Sequence, residues 1–232
     1  MLDYCAALEA HNDRTWFHEN HAWYDKARAD YARLLEMLRF TIAGSAPALS
    51  DDILYMSVKD WTYRIARDMR YYKDKPPYNP SFRAYISSDR KSWLPIGYFL
   101  RIAPGSSCFG TGIWLEDTSS MNIIRDFICA RFEEFSSTLT DNGLEITGSK
   151  LKTVPRGYSP EDPAADLIRF KNWAVIEDIS DSRLTTFEDF EALVRSLVER
   201  MEPFRLLLLD AARSGRTYKS ELENFYNAGQ SR

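Results

Sequence analysis

The chain has 232 residues, 44% of them hydrophobic and 14% aromatic, enough to bury one substantial core without disulfides or metals. Thirty basic against 34 acidic side chains give a formal net charge of −4, which excludes a general electrostatic attraction to nucleic acid or to acidic membranes, so any anion site must be local. Three cysteines, Cys5, Cys108 and Cys129, are odd in number and far apart, which argues against a disulfide framework or a structural zinc and for a reducing compartment.

No unit repeats with a period of about 20 to 50 residues, so the elements are read one by one. Tyr24, Ala27, Tyr31, Leu34, Leu35, Leu38 and Ile42 recur at helical steps, and Asn12 or Asp13 is placed to cap the first turn. A long amphipathic helix is therefore expected from about residue 13 to Gly44, followed by a turn over Ser45 to Ser50 around Pro47. Tyr63 to Ala66 fits a strand that leaves the sheet near Arg67, although Trp61, Ile65, Met69 and Tyr72 also fit a helical stripe.

Phe82 to Ser87, Ile96 to Ala103 and Cys108 to Leu115 are rich in aromatic and β-branched residues. Turn signals at Asp89-Arg90-Lys91-Ser92 and Pro104-Gly105-Ser106 separate them, which predicts an antiparallel meander. Helical spacing returns from Met121 to Leu139, with Ser119 or Ser120 as cap and Asn142-Gly143 as stop. Lys171 to Ile179 reads as a further strand, and Thr185-Thr186-Phe187-Glu188 offers a capping box for a last helix that Pro203 should kink or end. The pattern predicts one α+β domain over residues 1–214, a central antiparallel sheet with long helices from both ends of the chain packed on it. Residues 215–232 are expected to form a tail or a short helix.

Motifs exclude more than they assign. His18-Glu19-Asn20-His21 is one residue short of the zinc-protease signature, and with His11 it suits surface side chains better than chelation, so no metal site is expected. No nucleophile elbow, phosphate loop or dinucleotide fingerprint occurs, and no cofactor is expected; Gly110-Thr111-Gly112 suits a strand or bulge where a side chain would clash. The start, Met1-Leu2-Asp3-Tyr4-Cys5, lacks the marks of a signal peptide, and no apolar run approaches the roughly 20 residues that span a bilayer. A cytoplasmic protein without a membrane partner is expected; its oligomeric state is not indicated.

One segment stands apart. Between Arg64 and Tyr78, the cations Arg64, Arg67, Arg70, Lys73 and Lys75 face only Asp68 and Asp74, a local excess of three positive charges in an acidic chain. Tyr71, Tyr72 and Tyr78 interleave with them, and Lys75-Pro76-Pro77-Tyr78 stiffens the exit. Guanidinium groups take phosphate or carboxylate in a bidentate fashion, so an anionic ligand such as a nucleotide is one reading; a structural ion-pair network anchoring a loop is the other.

The run Arg67-Asp68-Met69-Arg70-Tyr71-Tyr72-Lys73-Asp74-Lys75-Pro76-Pro77-Tyr78 is similar to the R-D-x-R-F-S-K-D-K-x-P-Y block of the family called domain of unknown function 2461. Further matches are Asn12 to Phe17, Gly110 to Trp114, Ile124-Arg125, Lys152 to Tyr158, and Lys171, so the resemblance spans roughly residues 1 to 210. It departs at His11, at Tyr71-Tyr72 and at Asn79, where the family tends to show asparagine, Phe-Ser and lysine; the last change removes a cation. The resemblance implies a bacterial or fungal intracellular domain and no reaction. Its blocks single out Arg67, Asp68, Arg70, Lys73, Asp74, Lys75 and Tyr78, with Arg125, Lys152, Arg156, Tyr158 and Lys171, as positions expected to converge, either on a ligand-binding cleft, with all but the two aspartates as its ligand-binding residues, or in a buried polar network.

Three functions remain open on the sequence. The first is a module binding an anionic small molecule or a nucleic-acid backbone. The second is an enzyme on a phosphorylated or carboxylated substrate, with Asp68 or Asp74 as base and Tyr78 or Tyr158 as proton donor. The third is an interaction protein presenting Trp23, Trp61 and Trp93 to a partner.

Overall fold

The computed structural model describes residues 1–87, 96–115, 117–184 and 186–230, the last stretch with side chains to residue 215. The Asp89 to Ser92 turn, Trp93 and Thr185 lie outside the described residues. The class is α+β: among the described residues nine α-helices accompany a four-stranded antiparallel sheet of order β1-β2-β3-β4. The strands are β1 (Phe82–Ile86), β2 (Gly97–Ile102), β3 (Ser107–Ile113) and β4 (Trp173–Ile179), within a residue or two of those expected.

The first helical region is divided more finely than its periodicity predicts. The helices α1 (Leu2–Ala10), α2 (Arg14–Glu19) and α3 (His21–Ser45) replace a single helix from residue 13. Asp13 does cap, accepting the Trp16 N–H at 2.9 Å, but α2 stops at Asn20, whose side-chain amide donates to the Trp16 carbonyl. An asparagine that bonds back onto the preceding turn competes with helix continuation. Pro47, read as part of a turn, is the first residue of α4 (Pro47–Tyr55), because its missing N–H costs nothing at that position. The turn shrinks to Ala46. Tyr63 to Ala66 is no strand: beyond α5 (Val58–Trp61) the chain over residues 62–66 is tied down by the isolated bridges Thr62↔Ala84 and Ala66↔Tyr78.

The single helix expected near residues 121–139 is two, α6 (Thr118–Ala130) and α7 (Phe132–Asp141), broken at Arg131. Its cap is Asp117, which accepts from the Ser120 N–H at 2.8 Å, instead of either serine. Gly143, at φ 57, is the expected stop. After α8 (Ala165–Ile168), α9 (Phe187–Gln230) begins on Thr186, whose hydroxyl accepts the Asp189 N–H, one residue later than the capping box expected. It runs through Pro203 and on to Gln230, across most of the stretch expected to form a tail or a short helix. Val198, Met201, Phe204 and Leu208 are buried around the proline, so packing holds the helix across its missing hydrogen bond.

The described chain forms two compact units, each drawn from three stretches: Met1–Lys91, Gly97–Gly110 and Ile176–Arg200; and Ser92–Ile96, Thr111–Val175 and Met201–Arg232. In the first, Tyr31 on α3 meets the Phe82 ring at 5.3 Å and donates its hydroxyl to the Leu100 carbonyl, joining the helix to β1 and β2. Tyr4 of α1 sits fully buried among Trp16, Trp23, Tyr24 and Phe82, an aromatic cluster that ties the short N-terminal helices together. In the second, Phe135 packs edge-on to Phe204 at 5.7 Å, and a Cβ at Gly112 would lie 2.4 Å from the Ala174 Cα, the clash expected from the glycine pair.

Candidate functional site

The Arg64 to Tyr78 segment folds back on itself in the first unit. The Arg67 N–H donates to the Pro77 carbonyl and the Asn79 N–H to the Ile65 carbonyl, both at 2.8 Å, closing a loop whose tip turns on the Asp68 carbonyl. Prolines 76 and 77 have no N–H to give, and Arg67 answers their side of the loop: its guanidinium donates to the carbonyls of Pro76 and Tyr78. The Asn12 amide brackets the Tyr78 backbone, donating to its carbonyl and accepting its N–H, each at 3.0 Å. Phe17 stacks on the Tyr78 ring at 4.1 Å. Tyr78 therefore anchors the loop to the start of the chain, which gives a physical reason for the Asn12 to Phe17 and Arg67 to Tyr78 blocks to occur together.

Beside this loop lies an open cleft of about 540 Å³, lined by the cations Arg64, Arg67, Lys75 and Arg83 and by Tyr63 and Tyr72. Asp68, its one carboxylate among the described residues, is already held: Arg70 grips it with Nε at 3.0 Å and Nη2 at 2.6 Å. That hydrogen bond keeps the Asp68 carboxyl below the usual carboxylate range and raises the Arg70 guanidinium. The pair is exposed, so it contributes little to stability, and a lowered pKa runs against use of Asp68 as a general base near neutral pH. Among the described residues no carboxylate pairs with Arg64, Arg67, Lys75 or Arg83.

Arg83 was not among the expected residues. It stands in β1, half-buried, with Nη2 on the Arg64 carbonyl at 3.2 Å, its guanidinium 5.3 Å from the Tyr63 ring centre, and Nε buried without a hydrogen-bond partner among the described residues. Burial pushes this guanidinium below its usual range, and the neighbouring Arg67 cation pushes the same way. A sequence signal existed: an arginine flanked by Phe82, Ala84 and Ile86 in an otherwise apolar strand is a charge that needs a reason.

The remaining expected residues have other surroundings. Lys73 and Asp74 are exposed at the loop tip and do not line the cleft. Arg125, Lys152, Arg156, Tyr158 and Lys171 belong to the second unit. There Arg125, 2% exposed, donates to the Ile168 carbonyl at 2.9 Å, to Asn122 at 3.0 Å and to the Phe170 carbonyl at 3.4 Å. Its donors hold the α8 region onto α6. Tyr158 donates to Asp126 at 2.7 Å, and burial together with that carboxylate raises its hydroxyl far above the ordinary range, away from easy proton donation. Lys152, Arg156 and Lys171 are exposed. Of the tryptophans offered to a partner, Trp61 is fully buried and belongs to the core, because the α5 turn points it inward; Trp23 is 41% exposed but touches Tyr4.

Among the described residues no group of three or more His, Cys, Asp or Glu side chains is placed to hold a metal ion, and no helix is long and apolar enough to cross a membrane. Comparison with curated proteins and with solved structures finds no match. A family model described as "conserved hypothetical protein (DUF2461)" matches residues 1–206, and the chain belongs to that family.

Proposed function

We propose that the cleft beside the Arg64 to Tyr78 loop binds a phosphate- or carboxylate-bearing small molecule, with Arg64, Arg67, Lys75 and Arg83 as its anion-binding residues. The observation that carries this reading is the charge imbalance: among the described residues four cations line one cleft, and its single carboxylate is engaged by Arg70. Gathered cations repel one another, and half-burial of Arg83 adds a desolvation cost; a bound anion offsets both terms. Tyr63 and Tyr72 supply ring surfaces beside the cations, suited to the flat part of a nucleotide. Binding is favoured over catalysis because Asp68 has its carboxyl shifted the wrong way for a base, and Asp74 and Tyr78 do not line the cleft. The three free cysteines suit a reducing, cytoplasmic setting for such a ligand.

Isothermal titration of the full chain with phosphate and with adenosine monophosphate tests the reading. Saturable binding is expected, weakened roughly 10- to 100-fold in Arg83→Gln, the scale of a lost charge-assisted hydrogen bond. Absence of binding by the parent protein, or equal affinity in the variant, overturns it.

A further inference from the structure

Arg83 and Asn79 line a second cleft, of about 300 Å³, which also holds Arg101. In the register of β1 and β2, Arg83 faces Arg101 directly, and residues so paired have Cα atoms about 4.5 to 5.5 Å apart. Like charges opposite one another on adjacent strands destabilise a sheet. Neither arginine has a carboxylate partner among the described residues; Arg101 donates its Nε to the Ser106 carbonyl at 2.7 Å, which fixes the side chain without neutralising it. Among the described residues Glu9 is the one acid on this second cleft, and it is exposed and forms no ion pair with either arginine. Two neighbouring cationic clefts thus share one arginine.

We infer that the ligand carries two adjacent anionic groups, one in each cleft with Arg83 between them, and belongs to the diphosphate class. Sharing a single guanidinium requires the two groups to be close together, as in a P–O–P linkage. A single phosphate would leave Arg101 and its repulsion with Arg83 unanswered. Asn79 lines both clefts and accepts the Ser81 hydroxyl at 2.7 Å, and it adds no charge of its own to either.

This inference rests on the reading of the first cleft, and one titration series separates the two. Orthophosphate, pyrophosphate and malonate are titrated into the full chain at fixed ionic strength. Pyrophosphate is expected to bind at least tenfold more tightly than orthophosphate, and malonate no better than orthophosphate. In Arg101→Gln the pyrophosphate advantage should fall to within about twofold while orthophosphate affinity stays unchanged; Lys26→Gln, which removes an exposed cation away from both clefts, should keep the advantage. Pyrophosphate binding no tighter than orthophosphate, malonate matching pyrophosphate, or Lys26→Gln acting like Arg101→Gln overturns the inference but leaves the single-anion reading standing. Failure of every probe overturns both. The comparison of the three anions on the parent protein decides even if Arg101→Gln proves unstable.

Discussion

Arg125 and Arg83 are two arginines withdrawn from water, one in each compact unit, and they differ in what their donors reach. Arg125 is 2% exposed, and all three of its guanidinium nitrogens are engaged, with acceptors at Ile168, Asn122 and Phe170. Arg83 is half-buried, reaches one carbonyl, leaves Nε without an acceptor, and stands beside Arg67 and opposite Arg101. Burial alone does not separate a structural guanidinium from the ligand-binding role proposed for Arg83; the count of satisfied donors is what favours that proposal. Asp68 and Arg70 give a third case, an exposed pair that satisfies itself and removes from play the cleft's only carboxylate among the described residues.

The largest effect should come from Arg125. Arg125→Met leaves the Ile168 and Phe170 carbonyls short of donors, and is expected to cost about 3 kcal/mol or more, lowering the melting temperature while leaving phosphate affinity unchanged. If the variant melts with the parent protein, the structural half of the comparison is wrong. Arg83→Met should behave in the opposite way. Replacing an underpaired cation by an apolar side chain is expected to leave ligand-free stability within about 1 kcal/mol or to raise it, while phosphate binding drops roughly 10- to 100-fold. A large loss of stability without a binding defect would make Arg83 a second Arg125.

Much of this was legible in the sequence. The strands at 82–86, 97–102 and 107–113 appear because aromatic and β-branched runs bounded by turn residues have few alternatives, and the Arg64 to Tyr78 loop is marked by its composition. Helix breaks were not legible, since Asn20 and Arg131 interrupt stripes whose apolar period continues on both sides. Nor was the role of Tyr78: its partners Asn12 and Phe17 are more than 60 positions away, and proximity of that kind has no local signal. Clustering of charge along the chain does not reveal Arg83, because its companions Arg67 and Arg101 come to it through the loop and the strand register.

A smaller effect sharpens the electrostatic side of the comparison. Asp68→Asn releases Arg70 and removes the cleft's carboxylate, so phosphate affinity should rise about two- to fivefold at low salt, with the gain fading as ionic strength increases. A weaker affinity in Asp68→Asn would mean that Asp68 positions the ligand-binding cations, and the cleft would need the pair intact.

The smallest effect concerns the helix that carries Arg125. Asp117 caps α6, accepting from the Ser119 hydroxyl at 2.6 Å and the Ser120 N–H at 2.8 Å, and those hydrogen bonds lower its carboxyl to about 2 from an ordinary 3.8. A carboxyl lowered on folding contributes stability that is complete above its unfolded value and is lost as pH falls toward its folded value. The contribution should therefore be present above about pH 4 and disappear between roughly pH 4 and pH 2, in the sense that acid loosens the start of α6. Asn serves as a cap of similar quality but does not titrate there. Asp117→Asn is thus expected to match the parent melting temperature at pH 7 within about 2 °C and to lose less of it on acidification to pH 2.5, as followed by circular dichroism. Because this cap belongs to the second unit, phosphate affinity at neutral pH should be the same in both proteins, and an identical acid profile in the variant would show that Asp117 does not stabilise α6 through its charge.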